Sequence, residues 1–209
     1  MFGPQLNHCH ATCRRLIDAS RIIGVVRLED LGDRICVLGP SASGKSTLAS
    51  AIGKRQQLPV VHLDQFCHIA GTRSELRSDD EFAELHDAAI GGERWVADGN
   101  YSKLLPQRLA RATGVILLDI STARSLARYL RRTGGAGVRV GGLEGTTDTF
   151  SWDMVGYILH HTRANRRRRK EIFDRLMIPK IYLPTPSAVE HFYRLERLDR
   201  AQEEGSRRD

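Results

Sequence analysis

The stretch Gly39-Pro40-Ser41-Ala42-Ser43-Gly44-Lys45-Ser46 fits the pattern G-x-x-x-x-G-K-S/T, whose chemistry is capture of a nucleotide's phosphate tail. Its glycines let main-chain amides turn toward phosphate oxygens, and a helix starting at its end adds the positive end of a dipole. Lys45 is placed to span the β and γ phosphates and Ser46 to offer its hydroxyl to magnesium. Gly39, Ser41, Ala42, Ser43, Gly44 and Thr47 complete the cradle. The implied ligands are ATP and Mg2+.

Two carboxylates belong with that loop. Asp64 follows Val60 to Leu63, and Asp98 follows Trp95-Val96-Ala97. Both segments read as strands of a parallel sheet, whose ligands bind beyond the strands' carboxyl ends. Asp98 is placed to hold magnesium together with Ser46, and Asp64 to take the proton of an attacking hydroxyl, although the pattern allows the two roles to be exchanged. The plainer reading of each is a turn or capping aspartate, and Asp119 reads as structural.

A phosphoryl group in transfer carries spread negative charge, which calls for cations brought over it. Arg128, Arg131, Arg132 and Arg139 flank or occupy a glycine-rich segment, with Arg131 and Arg132 the preferred pair. Arg163, Arg166 and Arg169 lie farther on, where Arg166 and Arg169 continue a helical stripe of Val155, Leu159 and Thr162 before Phe173 and Leu176 resume it. An arginine on such a face needs an anionic partner, so Arg166 is expected to meet phosphate or a carboxylate of the cleft. His8, Cys9, His10 and Cys13 lack the second spaced pair of a usual zinc site, and His62 and His68 have no visible partner.

The elements that must position these groups alternate in the βα manner. Arg34 to Leu38 reads as a buried strand, Lys45 to Arg55 as a helix with Leu48, Ala51 and Ile52 inward, and Val60 to Leu63 as the second strand. Ser78 and Glu81 form a capping box for a helix carrying Phe82, Leu85 and Ala89 on one face, ended by Gly91-Gly92. Trp95 to Ala97 is the third strand, Asp98-Gly99-Asn100 its exit turn, and Gly114 to Ile120 the fourth strand. Ser121 caps a helix through Arg132, and Trp152 to Leu176 is a long helix. Ile181 to Leu183 and Ser187 to Leu195 make a last strand and a last helix.

The fold expected is therefore α/β: a three-layer P-loop NTPase fold with a central parallel sheet of about five strands, helices on both faces and a glycine-rich lid. Residues 34–198 form that domain, with the lid at about 133–150. Residues 1–33 precede it as an extension with a hairpin around Val25 to Leu31, and 199–209 form a charged tail.

Bulk properties narrow the class. The 209 residues suit one such domain, and no apolar run is long enough to cross a bilayer. The start lacks the apolar core of a secretory signal and the four cysteines are scattered, so a cytoplasmic chain with free thiols is expected. The net charge of +7, carried mainly by arginine, suits phosphate partners. It leaves nucleic acid open as a partner through the basic helix Arg163 to Lys170. Oligomeric state is not readable.

Several segments carry a resemblance: Ile35 to Leu48, Leu58-Pro59-Val60-Val61-His62-Leu63-Asp64, Arg94-Trp95-Val96-Ala97-Asp98-Gly99-Asn100-Tyr101-Ser102, and the arginine-dense helix near Arg166. Over about 34 to 195 the chain resembles the adenylate-kinase-like P-loop small kinases, and most closely the bacterial group labelled DNA-topology-modulation (FlaR-like) proteins. That resemblance implies an ATP-dependent kinase layout rather than a particular acceptor. Adenylate kinases carry Asp-Gly-Phe-Pro-Arg where this chain has Asp98-Gly99-Asn100-Tyr101-Ser102, so the arginine that meets a nucleoside monophosphate is missing. The leading expectation is transfer of the ATP γ-phosphoryl group to a small-molecule or nucleotide acceptor. The alternative is a nucleotide-dependent nucleic-acid-binding NTPase.

Overall fold

The computed structural model describes residues 26–69, 75–133 and 151–200, without the side chains at 132, 153–154, 157 and 160–164. Thr133 apart, the expected lid lies outside the described residues; so do Arg139, the cluster His8 to Cys13, and the tail from residue 201.

Strict alternation of side chains across the strands explains the layering. In β1 (Arg34–Leu38) and β4 (Gly114–Leu118), Ile35, Val37, Ile116 and Leu118 point to one core and Cys36, Leu38, Val115 and Leu117 to the other. The first core is closed by α1 (Lys45–Gln56) and α7 (Pro186–Leu195) through Leu48, Ile52, Val189 and Phe192. Phe82 and Ile90 of α3 (Asp79–Ile90), Leu105 of α4 (Leu105–Arg111) and Phe173 of α6 (Trp152–Arg175) close the second. With β2 (Val60–His62), β3 (Trp95–Asp98) and β5 (Lys180–Leu183), the sheet has five strands in the order β2-β3-β1-β4-β5. Every pairing is parallel. This is the α/β architecture expected.

That order puts the site at one edge. The chain leaves β1 toward β2 on one side, and β4 lies on the other, so the crevice opens beyond the carboxyl end of β1, between β3 and β4. In the ladder Val37 faces Asp98 across β1 and β3, and His62 faces the same Asp98 across β2 and β3. Helix α1 must start at this crevice and still lie flat on the sheet. Gly53 makes that approach possible: a Cβ there would collide with Val60 Cγ2 and sit 3.0 Å from the Leu58 carbonyl.

Several expectations need correction. The second strand stops at His62, because Leu63 to Cys67 turn into one short helix, α2, with Asp64 in its first turn. The capping box of Ser78 and Glu81 is present, but α3 buries Phe82, His86 and Ile90 while Leu85 is 39% exposed. Spacing of four sets that row, and the His86 imidazole can be carried in it because Nδ1 lies 2.8 Å from Asp87 Oδ1. Where a hairpin was expected, Leu28–Leu31 form a turn of 3-10 helix whose Leu31 is fully buried beside Gly114. Residues just before 34 thus belong to the core rather than to an extension. Among the described side chains of α6, Ile158 and Phe173 are buried, and Leu159 is 45% exposed.

Helix α4 was not anticipated. Its seven residues hold little apolar periodicity, and one inward position is Arg108, only 1% exposed. A charge on the buried side erases the pattern by which a helix is read.

Candidate functional site

The phosphate loop bridges β1 and α1. Gly39 has φ 153 and packs so closely that an added Cβ would lie 2.6 Å from the Leu118 carbonyl, which only glycine accommodates. Ala42 (φ 57) and Gly44 (φ 95) turn the main chain again before the helix. The Lys45 ammonium folds back over the loop and donates to the Pro40 carbonyl at 2.8 Å. Ser41 and Thr47 are half-buried, and the Ser43 hydroxyl is buried with no hydrogen-bond partner among the described residues. An orphaned hydroxyl in a loop of turned amides fits a phosphate oxygen.

Asp98, 4% exposed, joins this loop to the neighbouring strands. Its Oδ2 accepts from Ser46 Oγ at 2.7 Å, and its Oδ1 lies 2.5 Å from His62 Nδ1. On its far side the His62 ring reaches Ser50 Oγ at 3.3 Å. A hydroxyl and a carboxylate in contact at a helix N-terminus fit magnesium, which takes one or two protein oxygens and completes its shell with phosphate and water. Among the described residues no cluster of three or more His, Cys, Asp or Glu stands at metal-holding spacing.

The turn after β3 binds the two sides of the crevice together. Asn100 donates from Nδ2 to the Gly39 carbonyl at 2.8 Å and accepts from the Gly39 amide at 3.2 Å. One residue on, Tyr101 is held at φ 31, a region costly for an aromatic residue. Its hydroxyl donates to Asp64 Oδ1 at 2.7 Å. Burial, reinforced by the Asp64 charge, keeps that phenol protonated far above its ordinary range.

Beneath the turn lies Arg108, donating to the carbonyls of Gly99 at 3.0 Å and Asn100 at 2.7 Å. Burial pulls its pKa down, yet a guanidinium stays charged in any case. The same burial pushes the adjacent Cys36 thiol up to about 11, so Cys36 is an inert neutral neighbour.

The arginines divide. Arg128 lies over the loop and donates to the Ser43 carbonyl at 2.8 Å. Arg131 is exposed on α5 (Thr122–Thr133), and the side chain of Arg132 lies outside the described residues. Arg166 grips Asp119 with two hydrogen bonds, 2.7 and 3.0 Å, and Tyr182 donates to the same carboxylate at 2.6 Å. Burial would raise the Asp119 pKa, but these donors outweigh it and hold the carboxyl below its usual range. Arg166 thus has a carboxylate partner in Asp119, the aspartate read as structural, which ties α6 to the ends of β4 and β5. Farther along the basic helix Arg167 pairs with Glu171 at 2.9 Å and Lys170 with Asp174 at 2.6 Å.

Sequence reasoning put Lys45, Ser46, Asp64 and Asp98 at one sheet edge, and there they are. It left His62 without a role and passed over Asn100, Tyr101 and Arg108. The strand pairing of His62 with Asp98 was a usable signal, since both end strands before a helix or turn; Arg108 offered none.

No family model and no curated protein matches the chain. Among solved structures it is similar to a shikimate kinase from Aquifex aeolicus, at 18% identity over 78% of this chain and 96% of that one, with a TM-score of 0.45. A gluconokinase from Sinorhizobium meliloti is 16% identical over 80% of this chain and 95% of that one, with a TM-score of 0.49. A shikimate kinase from Bacteroides thetaiotaomicron is 18% identical over 79% and 99%, with a TM-score of 0.46. Likeness at this level does not extend to chemistry, which follows from the side chains themselves.

Proposed function

We propose that the chain is a magnesium-dependent phosphotransferase that moves the γ-phosphoryl group of ATP to a small-molecule or nucleotide acceptor. The observation that carries this reading is the contact of Ser46 Oγ with Asp98 Oδ2 at 2.7 Å, at the start of the phosphate-loop helix and beside Asp64 on the same sheet edge. In that reading the loop amides, Ser43 and Lys45 hold the triphosphate, while Ser46 and Asp98 would hold magnesium. The metal supplies charge neutralisation to the phosphates.

The acceptor oxygen forms a bond to the γ-phosphorus as the bond from that phosphorus to the β–γ bridging oxygen breaks. ADP leaves with the electron pair, and the acceptor's proton passes to Asp64. The hydrogen bond from Tyr101 orients Asp64 for that proton. Arg128, already at the loop, is the best supported cation for the moving phosphoryl group, with Arg131 and Arg132 as further ones, while Arg166 is held by Asp119. The narrower likeness to the topology-modulation group rests on Leu63-Asp64 and Asp98-Gly99-Asn100-Tyr101, and we carry over no role in DNA topology. Among the described residues no helix is long and apolar enough to cross a membrane, consistent with a cytoplasmic enzyme.

Titration calorimetry with millimolar ATP and magnesium tests the reading. The native chain is expected to give binding heat that Lys45→Ala abolishes. A native chain that gives no heat ends the proposal.

A further inference from the structure

A cavity of about 340 Å3 opens between α2, α3 and the segment Tyr101 to Leu104. Its size is at the low end for small-molecule sites, enough for one or two rings. The walls are largely carbon: the rings of Phe82 and Tyr101, with centroids 4.8 Å apart and tilted by 59°, together with Leu104 and the Cys67 thiol. Burial pushes that thiol's pKa up, so it is a neutral wall at ordinary pH. The two rings pack on each other and present one apolar wall, against which a flat or apolar body can lie.

Among the described residues, the cations near this cavity are engaged. Lys103 Nζ is 2.6 Å from Asp79 Oδ2, so the pair brings no net charge to the rim. Arg77 spends Nη1 on the main-chain carbonyls of Phe66, at 2.8 Å, and of His68. An anionic substrate would have to approach the Asp79 carboxylate on this rim, whereas an uncharged one meets no such repulsion. The Tyr101 ring forms a wall while its hydroxyl donates to Asp64, so one side chain links this cavity to the carboxylate read as the proton acceptor.

We propose that the phosphoryl acceptor is an uncharged alcohol built on a flat or apolar ring, seated against Phe82 and Tyr101 with its hydroxyl toward Asp64. This rests on the phosphotransferase reading above and narrows it to a substrate class without an obligatory anionic group.

The test first establishes nucleotide heat on the native chain, which separates failure of the parent reading from failure of this one. ADP release is then followed with neutral ring alcohols (adenosine, uridine, benzyl alcohol) and with anions (gluconate, shikimate, uridine monophosphate). At least one neutral ring alcohol is expected to raise ADP release about tenfold or more over background. Cys67→Phe, which fills the cavity, is expected to raise the KM for that alcohol about tenfold, with thermal melting checking its fold. Lys103→Ala, at an exposed position, is expected to leave that KM within about twofold. Stimulation by anions alone, or a large KM effect of Lys103→Ala, overturns the proposal and leaves the kinase intact. Nucleotide heat with no response to any neutral ring alcohol also overturns it.

Discussion

The two sides of the crevice are built in different ways. On the phosphate side the contacts interlock: Asn100 meets both polar atoms of the Gly39 main chain, Arg128 holds Ser43, Lys45 folds onto Pro40, and Ser46, Asp98 and His62 share one carboxylate. On the acceptor side Asp64 rides on α2, a helix of five residues, and an isolated bridge pairs His68 with Leu76 beyond it. In the proposed reading the phosphate seat is ready before ATP arrives, since turned amides stabilise charge only when they need no rearrangement. The other wall has to fit whatever is phosphorylated, and a short helix with carbon walls can be re-cut without disturbing that seat.

If the phosphate side is the more rigidly constructed, damage there should cost most. Asp98→Asn keeps the shape but weakens the partner of Ser46 and His62, and turnover is expected to fall by about 100-fold or more. Steady-state ADP release, with circular dichroism as the fold control, checks it.

Arg108 joins the two sides, so its loss should damage both. Arg108→Met is expected to cost about 2–4 kcal/mol, because the carbonyls of Gly99 and Asn100 lose their buried donors. Denaturant melts measure that cost, and calorimetry should show weaker nucleotide binding alongside it. A variant as stable as the native chain with unchanged ATP affinity would dissolve the idea of a shared support.

The Asp119 anchor lies outside both sides and should affect stability alone. Its pKa is lowered by folding, so its contribution is complete above the ordinary aspartate value of 3.8 and is lost as pH falls through the folded value. Asp119→Asn is therefore expected to cost about 1–2 kcal/mol near neutrality, less than a fully buried pair because the Arg166 side chain is 46% exposed. The difference should shrink below pH 4, as thermal melts across pH would show.

Effects confined to the acceptor side should be milder. Tyr101→Phe removes one hydrogen bond to Asp64 and is expected to lower kcat about tenfold at unchanged ATP affinity. Ser78→Ala removes the cap of α3, which carries one cavity wall, and is expected to cost about 1 kcal/mol by thermal melting.

The parts legible in the sequence are those whose physics is local. A loop that binds phosphate with main-chain amides is written in consecutive residues, and so is the Ser78 cap. Parallel strands buried on both faces are continuous apolar runs, which is why β1 and β4 stood out. What escaped depends on partners far apart in the chain. Asn100 matters because it reaches Gly39, and Arg108 because it supports a turn and does not face solvent, as most arginines do. The face of α3 was misjudged because hydropathy ranks Leu85 above His86, whereas the helix rotates to suit the row Phe82, His86 and Ile90.

Gly53 sets a condition on all of this from a position remote from the chemistry. It works like a missing shim: without a side chain, the first helix beds onto Val60 and Val96, and its far end delivers the turned amides at the right height above the strands. One added methyl would tilt the whole rod, so tolerance to mutation along α1 follows mechanical leverage rather than distance from the nucleotide.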